Sequence, residues 1–189
     1  AEEIDRRLSG VPVFSICNAS HEFVLVSGTN SGKTLGIFCF SEADAEKMLN
    51  QMRSVDPSGN SASRVVALDL SKVFQFKVDG VALRLVPEAS QIKNALELSR
   101  EAGFPDEMVR GVPTFQSKQL LLRSEGKGYR PVFFRKEDVE KYLSRASGGR
   151  DRPVKRGDIE VGVLEDMVRG MMDRDSSKED VVFIPPGLD

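Results

Sequence analysis

The sequence predicts an α/β protein of α+β-like layout: two pseudo-symmetric repeats, each a mixed, mainly antiparallel sheet with flanking helices. Three observations carry this. The segment Gly10-Val11-Pro12-Val13-Phe14 returns as Gly111-Val112-Pro113-Thr114-Phe115. Each copy is followed by the same order of apolar runs, acidic helix start and closing strand. The offset is 101 residues at the glycine but 94 at the helix start, from Asp44 to Asp138, so the copies differ by shortened connections, where length is free to vary. Short turns between neighbouring apolar runs demand antiparallel hairpins, which excludes a doubly wound parallel sheet. Two copies are too few for a solenoid. One pseudo-two-fold body is expected, with halves at 1–88 and 111–189 and a joining segment at 89–110.

Residues 2–9 read as a short helix ending at Gly10. Val11–Cys17 is a strand with Pro12 at its start or edge, Asn18–His21 a turn, and Glu22–Ser27 a second strand. Gly28–Gly32 closes a hairpin, and the unbroken apolar run Leu35–Phe40 suggests a strand buried on both faces. Ser41 then caps a helix whose buried stripe is Ala45, Met48, Leu49 and Met52. The other half repeats cap and stripe, the latter at Val139, Tyr142, Leu143 and Ala146. After a loop at 57–61 come a strand at Arg64–Leu70, a short helix at Ser71–Lys77 and a strand at Val81–Val86 stopped by Pro87. A helix over Gln91–Ala102, with Ile92, Ala95 and Leu96 along one face, joins the halves.

The second half is expected to hold strands near 112–116, 119–124 and 130–134, a helix over 136–146 and a polar loop at 147–153. A strand at 158–163, a helix over 164–173 and a last strand at Val181–Ile184 complete it. Val65, Leu70 and Val73 align with Ile159, Leu164 and Met167, and the closing Leu83-Arg84-Leu85-Val86-Pro87 with Val182-Phe183-Ile184-Pro185-Pro186.

Composition narrows function by exclusion. With 40% apolar and 30% charged residues the chain is long enough to bury a core, and a net charge of −2 gives no pull toward nucleic acid or anionic membrane. No apolar run reaches the roughly 20 residues of a spanning helix. The start Ala1-Glu2-Glu3 reads as neither a secretory nor a transit segment, as expected either of a protein that never had one or of a mature form. Cys17 and Cys39 sit in apolar runs and read as free buried thiols, although a bond is open if their strands pair.

Catalytic signals are weak. Gly28-Thr29-Asn30-Ser31-Gly32-Lys33-Thr34 resembles a phosphate-binding loop, but only three residues separate its glycines and a strand, not a helix, follows. A hairpin turn explains it better. The only histidine, His21, lies in a turn, with Glu22 the sole acid that sequence places beside it. One His and two separated Cys offer no metal spacing. No catalytic residue, metal, nucleotide site or cofactor is expected. Of the six methionines, Met48, Met52 and Met167 suit core packing, while one of the adjacent Met171 and Met172, and Met108, are candidates for an adaptable apolar surface.

Several segments together resemble one known family. These are Val11-Pro12-Val13-Phe14, Glu22-Phe23-Val24-Leu25-Val26, Asp44-Ala45-Glu46, Gln91-Ile92-Lys93-Asn94-Ala95-Leu96-Glu97-Leu98, Gly111-Val112-Pro113-Thr114-Phe115-Gln116-Ser117 and Pro131-Val132-Phe133-Phe134-Arg135-Lys136-Glu137-Asp138. The family is the 22-kilodalton subunit of the chloroplast inner-envelope protein-import translocon, with its cyanobacterial and apicoplast relatives. The resemblance implies apolar grooves, no catalytic residues, and a soluble or peripheral protein between the envelope membranes. There it would hold unfolded preproteins passing from outer to inner translocon, with stroma or thylakoid as the alternative location. Client contact is expected at Phe14, Ile92, Leu96, Met108 and Phe115. The competing reading is a fixed structural subunit of a translocon or another plastid complex, and the third, a nucleotide hydrolase, rests on the defective loop alone.

Overall fold

The architecture follows from a computed structural model, which describes residues 7–27, 34–76, 78–146, 148, 157–172 and 180–187. The chain divides into two compact units: Pro12–Glu88, and Ala89–Asp189 together with Ala1–Val11. Each is built on one five-stranded sheet.

In the Pro12–Glu88 unit, β1 (Pro12–Cys17) pairs along its whole length with β4 (Arg64–Asp69), antiparallel, in the register Pro12↔Asp69 to Cys17↔Arg64. Proline opens the strand, where its missing amide costs no ladder bond. On its other side β1 meets β3 (Thr34–Cys39) at Phe14↔Cys39. β5 (Val81–Val86) returns parallel to β3 from Thr34↔Val81 to Cys39↔Val86. The expected second strand shrinks to β2, Val26–Ser27, because after the turn only an isolated bridge, Cys17↔Phe23, links the chain to β1.

Two helices complete this unit. α1 (Glu42–Val55) starts at Ser41, whose hydroxyl accepts from the Asp44 amide at 3.4 Å, and buries Ala45 and Leu49 against the sheet. At its other end the Asn60 amide group donates to the Met52 and Asp56 carbonyls, satisfying acceptors the helix leaves open. α2 (Leu70–Gln75) is capped by Asp69, whose carboxylate accepts from the Ser71 amide.

The other unit repeats this connectivity. β6 (Pro113–Gln116) pairs antiparallel with β9 (Glu160–Val163) and meets β8 (Lys127–Phe133) at Phe115↔Phe133. β7 (Leu122–Ser124) forms a hairpin with β8 through Glu125 and Gly126, both at positive φ, and β10 (Val181–Ile184) runs parallel to β8. α4 (Lys136–Ala146) and α5 (Leu164–Met172) follow at the places of α1 and α2. Leu70 and Leu164, aligned in the repeat, each begin a helix and are each fully buried.

α3 (Ala89–Glu101) packs with this second sheet. Ala95 joins Phe115, Leu120, Phe133, Val139, Ile159 and Ile184 in one core, with Leu98, Val109, Tyr142 and Leu143 packed against it. Of the helix expected over 2–9, residues 7 and 8 are helical and Gly10 follows at φ 88; residues 1–6 lie outside the described residues. The 147–153 loop also falls outside, except for Gly148.

Candidate functional site

Of the expected client positions, Phe14 lies in the Pro12–Glu88 unit and Ile92, Leu96, Met108 and Phe115 lie in the other. Phe115 has no exposed surface and anchors the core described above, so it supports a surface without forming one. Phe14, Ile92 and Leu96 are half-buried. α3 buries Gln91, Ala95 and Ser99 rather than the expected Ile92, Ala95 and Leu96. Met108 alone of the five is mostly exposed, at 56%.

Gln91 explains the shifted face. It is only 2% exposed and is fully engaged. Its Nε2 donates to Glu137 Oε2 at 2.9 Å, and its Oε1 accepts from the Lys136 backbone amide at 2.9 Å and from Asn94 Nδ2 at 3.2 Å. Asn94 Nδ2 also donates to Glu137 Oε1 at 3.1 Å. The repeat suggests a cap for α4 like that of α1, but Arg135 stands where Ser41 does and carries no capping oxygen. Gln91, from another helix, accepts from the first-turn amide instead. Burial pushes the Glu137 carboxyl up, yet its own backbone amide, Gln91, Asn94 and the charge of Arg135 together hold it below the ordinary 4.5.

Two further motif groups have structural tasks. Asp138, buried at the start of α4, accepts from the Gly187 amide at 2.9 Å and fixes the turn after β10. Gly111 adopts φ 73, and a Cβ there would collide with the Glu165 carboxylate, which accepts from the Val112 amide at 3.0 and 3.2 Å.

Beyond α3 the chain turns through a compact knuckle. Gly103 lies at φ 83; its amide donates to the Arg100 carbonyl and that of Phe104 to the Ser99 carbonyl, the paired bonds of a Schellman ending. A 3₁₀ turn over Asp106–Met108 follows. Arg100 clamps it with two parallel bonds, Nε to Asp106 Oδ1 at 2.8 Å and Nη2 to Oδ2 at 2.7 Å. The hydrogen bond and charge of Arg100 keep Asp106 below its ordinary value, so the clamp stays ionised at neutral pH. On this braced turn Phe104 and Met108 stand 54% and 56% exposed, while the adjoining Val109 tucks against the core. Phe104 was not singled out by periodicity, since it belongs to no stripe; its place one residue past a helix-ending Gly is the signal that could have found it.

Chemistry elsewhere is sparse. Among the described residues no three His, Cys, Asp or Glu side chains gather as a metal site, and no helix is long and apolar enough to cross a membrane. Cys17 and Cys39 are free and buried. With Phe14 opposite Cys39, Cys17 lies three residues further along β1, roughly 10 Å away in strand rise and beyond disulfide reach. His21 sits at φ 62 in its turn, with Nδ1 accepting from Arg64 Nη2 at 2.7 Å. Residues 28–33 of the phosphate-loop-like motif lie outside the described residues, and Thr34 opens a strand rather than a helix.

By class this is a two-unit α+β protein, each unit built on a mixed sheet with flanking helices. The chain belongs to the Tic22-like family, which matches it over residues 1–189. It is 55% identical to "Protein TIC 22-like, chloroplastic" of Arabidopsis thaliana, a match covering 100% of this chain and 62% of that protein. To the pea (Pisum sativum) "Protein TIC 22, chloroplastic" it is 40% identical over 97% of this chain and 73% of that protein. The chain thus spans less than two thirds of the length of the Arabidopsis relative. Its fold is that of two solved structures. "Anabaena Tic22 (protein transport)" superposes with a TM-score of 0.76 at 17% identity, over 98% of this chain and 92% of that one. "Tic22 from Plasmodium falciparum" superposes with a TM-score of 0.74 at 20% identity, over 96% and 91%.

Proposed function

We propose that this protein is a non-enzymatic component of chloroplast protein import that holds unfolded preproteins between the outer and inner envelope translocons. It works in the intermembrane space or at the face of the inner envelope membrane, without nucleotide or metal. The family and its chloroplastic relatives support the plastid setting. The observation that carries the holding role is the braced display of Phe104 and Met108. A large aromatic and a pliable thioether kept in water on a clamped turn cost hydration and contribute little to folding, which marks a surface kept for a partner. Half-buried Ile92 and Leu96 lie on the helix that leads to the turn.

The test is light scattering of a chemically unfolded client diluted into buffer without ATP, with and without the purified protein. Suppression near stoichiometric ratios that is weakened by Phe104→Ser with Met108→Ser supports the role. An unchanged scattering curve with folded, monodisperse protein would overturn it and favour a fixed subunit, detectable by stoichiometric co-elution with a larger assembly.

A further inference from the structure

The client-holding surface proposed above, on which this inference rests, keeps a thioether in water. We infer that Met108 is an oxidation site at which hydrogen peroxide switches that surface off without unfolding the protein. A thioether has no proton to lose, so its oxidation follows access to the sulfur. Met108 stands mostly exposed, whereas Met48, Met52, Met167 and Met171 are half-buried, and the Thr114 hydroxyl donates to the Met167 sulfur at 3.5 Å. The thiols are withdrawn as well. Cys17 and Cys39 are buried, and burial pushes both above their ordinary value, so little of the reactive thiolate forms at neutral pH. Among the described sulfur atoms Met108 is therefore the one that peroxide reaches.

The step is a two-electron transfer of oxygen. The sulfur lone pair attacks one peroxide oxygen, the O–O bond breaks as the S–O bond forms, and the other oxygen leaves as water after a proton shift. Sulfur is oxidised and peroxide reduced, with no other reactant. The product carries a polar S–O group where the client surface needs a pliable apolar chain. The turn beneath does not depend on that side chain. It is held by the Met108 amide to the Pro105 carbonyl at 3.1 Å, the Val109 amide to the Asp106 carbonyl at 3.0 Å and the Arg100 clamp on Asp106. Oxidation thus changes the surface and leaves the fold, and methionine sulfoxide reductases, one for each epimer, reverse it.

The test exposes the full chain to graded hydrogen peroxide, quenches with free methionine and maps the product by peptide mass spectrometry. The first oxygen is expected at Met108. At one oxygen per chain, suppression of client scattering should need about fivefold more protein, while the melting temperature stays within about 2 °C. The two reductases together should restore suppression. Met108→Leu, of similar volume and apolarity, should hold clients before and after peroxide. Met108→Gln, polar and of similar length, should hold as poorly as the oxidised wild type. A first oxygen on another residue, or a Met108→Leu protein as peroxide-sensitive as the wild type, would overturn the assignment. Full holding by the oxidised wild type would remove the switch and leave the holding role standing. Failure of the untreated protein to hold any client would remove the holding role and the switch with it, while the mass map still decides the oxidation site.

Discussion

Replacing Gln91 by leucine keeps the volume of a buried helix position and removes all of its hydrogen bonding. The Lys136 amide at the start of α4 loses its acceptor, and Glu137 loses a donor at 2.9 Å. A bond to a charged group contributes about 1.5–3 kcal/mol and a cap about 1 kcal/mol, partly offset by the apolar side chain gained. A net loss of about 3 kcal/mol lowers the melting temperature by roughly 6–12 °C in a chain of this size. Calorimetry measures it, and hydrogen exchange at the Lys136 amide localises it, since that proton should lose its protection selectively. In a double-mutant cycle with Glu137→Ala, the coupling should reach about 1 kcal/mol or more. A Gln91→Leu variant melting within about 1 °C of the wild type would refute the idea that this side chain holds α3 to α4, and would place Gln91 among polar groups that an apolar isostere replaces freely.

Gly111→Ala puts a Cβ into the Glu165 carboxylate at a positive φ and should cost about 2 kcal/mol, seen as a lower urea midpoint. Burial, and then the charge of Asp44, push the Cys39 thiol up to about 11. About one thiol in a thousand is then ionised at pH 8, so Cys39 should resist alkylation in the native protein and react promptly once urea unfolds it. Because the Glu137 carboxyl is held below 4.5 in the fold, it stabilises the protein above its unfolded value. That contribution is lost as pH falls through the depressed folded value. Wild type should therefore lose stability below about pH 4.5 more steeply than Glu137→Gln, measured as melting temperature against pH.

The elements set by local chemistry were legible in the sequence. The helix at 136–146 and the strand at Val181–Ile184 have the expected bounds. Ser41 caps where the acid pattern places it, and the repeat aligns Leu70 with Leu164 at two buried helix starts. What failed depends on partners distant in the chain. Apolar periodicity points to Ile92 and Leu96 as the packed face of α3, yet Gln91 and Ser99 are the buried residues, because a polar side chain can go inside when distant groups satisfy it. No period reveals that Glu137 lies opposite. Similarly, the repeat implies a second capping residue at Arg135 and cannot show that another helix supplies the acceptor. Of the expected site only Met108 is strongly exposed, and its neighbour Phe104 was hidden by standing alone in a loop.

The grouping of the two chain ends has a mechanical consequence. Arg7–Val11 belong with the unit that holds Ala89 onward, tied in by Arg7 to Asp180 at 2.9 Å, and Leu8 and Val11 are buried. Pulled by its ends, the protein carries the load first across that short N-terminal tether, while Pro12–Glu88 hangs as a slack, shielded loop. Once the tether tears, tension reaches the inserted unit. A force trace with a small early rip before any large extension would mark that order, and Arg7→Ala would weaken the first event alone.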